Sequence, residues 1–276
     1  MLKHKTICIF AMLVCLQQQA LAIDLASYRA VYDLQPVRIE QGGKAQPIDG
    51  ELAYEVAGSQ CAGWTVSTQL KNRMAQAEQG LQTTDIKSRS FESDDGLSMT
   101  VSQQESVDGR LSDDSEIKIG KVEVSAESKG NISGSKTSSF SLTPEVIFPT
   151  EHQRRLLAAA AKGLTRDVST VYDGSDNEKT FRIITFISKR HEPAAQPRDD
   201  LSSLASLASW TFQLGYYPAA DEQADTPEFQ TTFNMFENGI TTEMLFDYGT
   251  YAMKAKILKL EMMPAAPCPT TLQKLQ

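Results

Sequence analysis

The chain has 276 residues, with 27 Lys and Arg against 35 Asp and Glu, for a formal net charge of −8. That balance excludes nucleic acid as a partner, and it excludes simple electrostatic adhesion to anionic lipid, because both need a cationic surface. The length suffices for one large β domain or two smaller ones.

The first segment, MLKHKTICIFAMLVCLQQQALA, carries Lys3 and Lys5, an apolar run from Ile7 to Leu16, and then Ala20-Leu21-Ala22. A charged start, an apolar run too short to span a bilayer and an A-x-A site predict a signal peptide over residues 1–22, a mature chain from Ile23 and a periplasmic location. Acylation at Cys15 is disfavoured, since Val14 stands where a small residue is needed. No later stretch approaches an 18-residue apolar run, so no integral membrane segment is expected in the mature chain. Without Lys3 and Lys5, 25 basic residues face 35 acidic ones, and the mature charge is −10.

SYRAVYDL opens the mature chain with period two, placing Tyr28, Ala30, Tyr32 and Leu34 on one face. GSQCAGW follows, setting Cys61 beside a glycine turn and Trp64. Cleavage of the leader removes Cys8 and Cys15 and leaves Cys61 with Cys268. In an oxidising compartment these two are expected to pair, and a C-x-x-C redox motif is absent. The alternative is two separate buried thiols. A bond between them spans 207 positions, and the loop-entropy relation sets an upper bound of about 5 kcal/mol on its contribution.

GWTVSTQL and EIKIGKVEVSAE read as further strands, with turns expected at Asp94-Asp95 and Asp113-Asp114. One helix interrupts them. In FPTEHQRRLLAAAAKGL, Thr150 is the expected N-cap, with Gln153 completing a capping box and Gly163 as the residue just past the C-terminus. Leu156, Leu157 and Ala160 form its apolar stripe. VYDGSD reads as a turn, KTFRIITFI as a strand, and RHEPAAQPRDDLSSLAS as a Pro-rich loop whose Leu201, Leu204 and Leu207 suggest one or two helical turns. WTFQLGYY and FQTTFNMFENGITTEMLFDYG follow, the latter a hairpin with Asn238-Gly239 as a type I′ turn. YAMKAKILKLEMM continues the meander, and Pro264, Pro267 and Pro269 then stop any extension of the sheet. About a dozen strands at this spacing predict a sandwich or barrel.

Few residues offer chemistry. His152 beside Glu151 is a candidate base or ligand, but a locally bonded helix residue is the simpler reading. His191 sits in a loop. Two histidines and no free thiol supply a transition-metal site poorly. Ser133 and Lys136 have the S-x-x-K spacing of some acyl enzymes, yet GNISGSKTSSF is turn and strand, where that chemistry needs a helix start. Asp173, Asp176 and Glu178 lack calcium-loop spacing and read as turn residues. Tyr28, Tyr32, Trp64, Trp210, Phe212, Tyr216, Phe233, Phe236 and Phe246 either fill a barrel interior or line an apolar groove for a lipid or acyl chain.

LASYRAVYDL, GSQCAGWTV, SRSFESDDGLSM, IFPTEHQRRLLAAAAKG, VYDGSD and the terminal PCP, taken in order, resemble the envelope integrity protein B (EipB-like) family, periplasmic proteins of alphaproteobacteria formerly grouped as a domain of unknown function. The resemblance runs from about Leu25 to Cys268. It implies one domain over residues 23–276, a mainly β fold with a single large antiparallel β-spiral or open barrel and one helix against it, and a disulfide between Cys61 and Cys268. It also implies a role in maintaining the cell envelope and a likeness of fold to periplasmic lipoprotein carriers. The family brings no catalytic residue, no metal and no cofactor. The expected function is therefore a non-enzymatic periplasmic factor that binds a protein partner or an envelope component. The alternatives are a carrier of lipid or lipoprotein through an apolar cleft, and a hydrolase built on His152.

Overall fold

Side-chain alternation organises the first strand. In β1 (Tyr28–Ile39), Tyr28, Ala30, Tyr32 and Leu34 are buried and Arg29 is exposed. The computed structural model describes residues 23–40, 45–76, 80–123, 126–193 and 199–269, so the leader over residues 1–22 lies outside the described residues. Long strands follow as β2 (Ala45–Ser59), β3 (Gly63–Gln76), β4 (Gly80–Glu92), β5 (Ser98–Val107) and β6 (Arg110–Gly120). Shorter ones, β7 (Ser128–Gly134), β8 (Ser138–Leu142) and β9 (Val146–Ile147), lead into the helix α1 (Pro149–Ala161). Beyond it come β10 (Arg166–Val171), β11 (Phe181–Ile187), a 3-10 turn at Asp199–Leu204, β12 (Ser209–Pro218), β13 (Phe229–Phe236), β14 (Thr241–Asp247) and β15 (Tyr251–Met262).

Among the described residues, fifteen strands form one sheet in the order β8 to β1, then β15 down to β9. Sequential neighbours pair antiparallel, except that β9 lies parallel to β10. The sheet curls into a nearly closed barrel, as the sequence predicts for the fold class. The two halves join where β1 pairs with β15, from Tyr28 opposite Met262 to Ile39 opposite Tyr251. Both ends of the described chain thus meet inside the sheet, and the sheet's edges, β8 and β9, come from the middle of the chain.

The seam between those edges is closed by side chains. Met99, Val101, Ile117, Ile119 and Ile132 from β5–β7 form a second core with Val146, Phe148 and Tyr172. The Lys121 ammonium donates to the Val146 carbonyl at 2.6 Å. The exposed flank of β10 is covered by α1, whose Arg155 donates to the Val168 carbonyl at 3.2 Å and pairs with Asp167 at 2.8 Å. An edge whose carbonyls are already occupied offers no template for strand addition.

Several local expectations are corrected. The helix begins two residues early: Phe148 is the N-cap, without a side-chain cap bond, and Pro149 takes the first helical position. That position suits proline, whose missing N–H would be unpaired there anyway. Thr150 therefore lies inside the helix, and Gln153 donates to the Gly239 carbonyl at 2.8 Å instead of completing a capping box. The C-terminus is as predicted. Gly163 has φ +74, and the N–H groups of Gly163 and Leu164 return to the Ala160 and Ala159 carbonyls, which is a Schellman end. At the β13–β14 hairpin only Gly239 has positive φ, so the turn is a three-residue type I turn with a glycine bulge rather than type I′. The Asn238 side chain bonds the Ile240 N–H at 3.2 Å and holds that shape. The type I′ turn falls at Asp108-Gly109, with φ of 49° and 76°, which puts Asp113 and Asp114 within β6 and not in a turn.

Candidate functional site

GSQCAGW forms the end of β2, its turn and the start of β3. Cys61 in that turn is bonded to Cys268 in the segment after β15, with Cα atoms 5.2 Å apart. The tail is also hydrogen-bonded: the Met263 N–H donates to Ser27 O at 2.9 Å and the Ala266 N–H to Gly58 O at 3.0 Å. The bond does not seal the sheet's edges, as tethering of chain ends would suggest. Because β1 and β15 are paired neighbours, it clamps one rim in the middle of the sheet, far along the strand order from β8 and β9.

At this rim α1 lies across the mouth of the barrel and contacts strands distributed around it. Arg154 lies over the Trp64 ring at 5.7 Å, on β3. Gln153 reaches the β13–β14 turn, and Arg155 reaches β10. Leu156, Leu157, Ala159 and Ala160 are buried in the main core with Tyr28, Tyr32, Trp210, Phe212 and Ile257. The buried strip is wider than the predicted stripe because the helix is packed on two sides. It is a plug.

Two buried titratable groups flank the plug. Glu92, at the end of β4, is 4% exposed, and both its oxygens lie 3.0 Å from the Thr150 N–H. Burial pushes its pKa up to about 7, against smaller lowering effects from the Thr150 hydrogen bonds and Arg154. His152 is 6% exposed and its Nε2 has no partner among the described residues. Burial lowers its pKa to about 4, partly opposed by Asp167. Glu92 was not among the sequence candidates: it shares the inward parity of Ile86, Ser88 and Ser90 on β4, and the sequence offers no sign that it meets a helix end.

The remaining candidates do not converge. His191 pairs through its backbone with Ser209, and its Nε2 lies 3.3 Å from Ser188 Oγ and 3.2 Å from Thr211 Oγ1, which pins a loop to β12. Ser133 lies on β7 and Lys136 in the turn after it. Asp173 accepts the Ser175 N–H at 2.9 Å, and Asp95 accepts the Leu97 N–H at 3.0 Å, both as turn residues. Among the described residues no three His, Cys, Asp or Glu side chains gather as a metal site.

The predicted aromatics divide into two sets. Tyr28, Tyr32, Trp64, Trp210 and Phe212 are buried in core near the plug. Tyr216, Phe233, Phe236 and Phe246 are only half-buried. Away from the plug the inward faces of β2, β3 and β12–β14 carry Leu52, Leu70, Phe229, Phe233, Met244 and Phe246, packed on the core yet partly open. Tyr216 stacks on Phe229 with centroids 4.1 Å apart. The outer face of β1–β6 is different. It carries a polar trough of about 530 Å³ bordered by Arg29, Glu55, Gln69, Lys87, Arg89 and Gln104.

A single barrel-like sheet with a helical plug and a partly open apolar inner wall defines a β-barrel-like class of protein. The chain belongs to the EipB-like family, whose profile matches residues 19–264. It is 26% identical over 250 residues to the cell envelope integrity protein EipB of Brucella abortus (strain 2308), covering 88% of this chain and 86% of that protein. It also superposes with a TM-score of 0.80 on the crystal structure of a beta-barrel-like protein of a domain of unknown function from Brucella abortus, at 25% identity, covering 88% of this chain and all of that one. The described helices include none long and apolar enough to cross a membrane.

Proposed function

We propose that this protein maintains the cell envelope from the periplasm as a binding protein, and that it holds an envelope component bearing an apolar chain, a lipid or a lipoprotein, against the inner wall of its sheet. The relative's name supports the envelope role. The observation that carries the binding mode is the half-open lining of Leu52, Leu70, Phe233, Met244 and Phe246. In a fully packed barrel these inward positions would be closed, whereas concave apolar walls with few polar groups suit acyl chains. A binding rather than catalytic role is supported by His152, which is buried with no hydrogen-bond partner at Nε2 among the described residues.

Native purification of the exported protein followed by solvent extraction and mass spectrometry tests this reading. Acyl-bearing lipid should accompany the wild type and be lost from Phe246→Glu and Leu70→Glu variants that keep the wild-type circular dichroism. Protein that carries no lipid and fails to bind a fluorescent fatty acid would exclude the acyl mode.

A further inference from the structure

The helix α1 has no cap of its own. Its N-cap, Phe148, provides no side-chain acceptor, and the Thr150 N–H is bonded by Glu92 from β4, 58 positions away. This carboxyl joins the plug to the wall, and it does so with few partners. Thr150 alone serves both oxygens, through its N–H and its side chain, whereas an ionised carboxylate has about four acceptor sites to satisfy. Among the described residues Glu92 makes no ion pair: the nearby Arg154 is stacked over Trp64 instead. The other neighbours do not help. Trp64 and Met99, its cross-strand partners on β3 and β5, are uncharged, Tyr54 of β2 is a neutral phenol whose pKa is raised, and Glu151 of α1 is a like charge. An ionised Glu92 is therefore poorly solvated while α1 is seated, and regains water only if the helix start lifts away. A protonated Glu92 keeps its carbonyl bond to Thr150 without that penalty.

We propose that Glu92 is a proton-operated latch on the helical plug, with α1 firmly seated over the barrel mouth while Glu92 is protonated and loosened when it ionises. The direction is opposite to that of an exposed capping carboxylate, which holds a helix best when charged. The raised pKa of about 7 is in accord with this sense. A group whose pKa is higher seated than released binds protons on seating, so seating is strongest below the released value and is lost as pH rises through the seated one. Tyr54, near 12, titrates outside the window from pH 5.5 to 8.5. His152 of α1, lowered to about 4 while seated, takes a proton on release below its ordinary 6.5 and so opposes Glu92 at the acid end of the window.

Hydrogen exchange of the full mature protein tests the latch, with amide protection corrected for the intrinsic rate at each pH. Between pH 5.5 and 8.5, the ratio of α1 protection in the wild type to that in Glu92→Gln, each referenced to central β1 and β15 amides, should fall at least tenfold, since the His152 contribution cancels and each pKa unit of difference is a factor of ten. Glu92→Gln retains a carbonyl acceptor but cannot ionise, so its α1 protection should not fall towards high pH and should decline only below about pH 6.5, where a released His152 takes a proton. Should that variant fold poorly, the wild-type Glu92 side chain, followed by carbon NMR, decides alone: a midpoint near 7 supports the latch, and an ordinary carboxyl midpoint overturns it. A ratio of wild-type to Glu92→Gln α1 protection that is flat, or that falls on acidification across this window, also overturns it.

Discussion

Gly58 lies so close to Trp64 that a Cβ built on it would sit 2.8 Å from the indole ring and 2.3 Å from the Gly63 carbonyl oxygen. The two residues face each other across the β2–β3 hairpin, and this contact explains the glycine that opens GSQCAGW. Trp64 is 2% exposed, held between the hairpin backbone and Arg154 of the plug. Gly58→Ala should therefore destabilise the protein by about 1–3 kcal/mol, the usual range for overpacking a filled site. Chemical denaturation with an unchanged m-value checks it, and a neutral substitution would contradict the packing.

The Cys61–Cys268 bond predicts a particular mutational pattern. Cys61→Ser, Cys268→Ser and the double variant should lower the melting temperature by nearly the same amount, because each removes the same cross-link. The loss should not exceed about 5 kcal/mol, the limit for so long a loop, and strain or residual denatured structure would reduce it. Melting curves with and without reductant provide the comparison. A double variant much weaker than either single would show that the two sulfurs act separately.

Leu156→Ala should be among the most damaging single changes to the helix. Leu156 is 2% exposed on the face that enters the main core. Large-to-small truncations at such sites cost about 2–5 kcal/mol. Arg154→Ala at a half-buried position, by contrast, removes a cation–π contact over Trp64 and should cost on the order of 1 kcal/mol. Equal effects would mean that α1 is held by its rim rather than by its core face.

Acid stability should reflect two opposed groups. The folded pKa of His152 is lowered to about 4, so stability falls as pH drops through the window from its ordinary 6.5 down to 4. Glu92 acts in the other sense, adding stability as pH falls from about 7 towards 4.5. The wild type should therefore show a shallow stability profile where the windows overlap. Glu92→Gln should uncover the His152 slope, with stability declining by roughly 3 kcal/mol at most between pH 6.5 and 4. A Glu92→Gln profile as shallow as the wild type would contradict this.

Strand identity, the single long helix and its glycine end were legible in the sequence, because period-two burial and cap chemistry are local. The cysteine pairing was legible too, since only two cysteines remain beyond the expected leader, and the ordered family motifs supported it. Three features were not. The joining of β1 to β15, with the sheet's edges at β8 and β9, depends on pairing between residues more than 200 positions apart, such as Tyr28 and Met262. Strand alternation says nothing about such partners. The helix start was misread because Thr150 has the chemistry of a cap, but its N–H is met by Glu92, a residue whose role exists only once β4 curls against α1. The aromatic positions showed which side chains face inward. Whether those positions are packed core or open wall was decided by the tertiary structure, because the short plug fills one end of the barrel and leaves the inner faces of β2, β3 and β12–β14 half-covered.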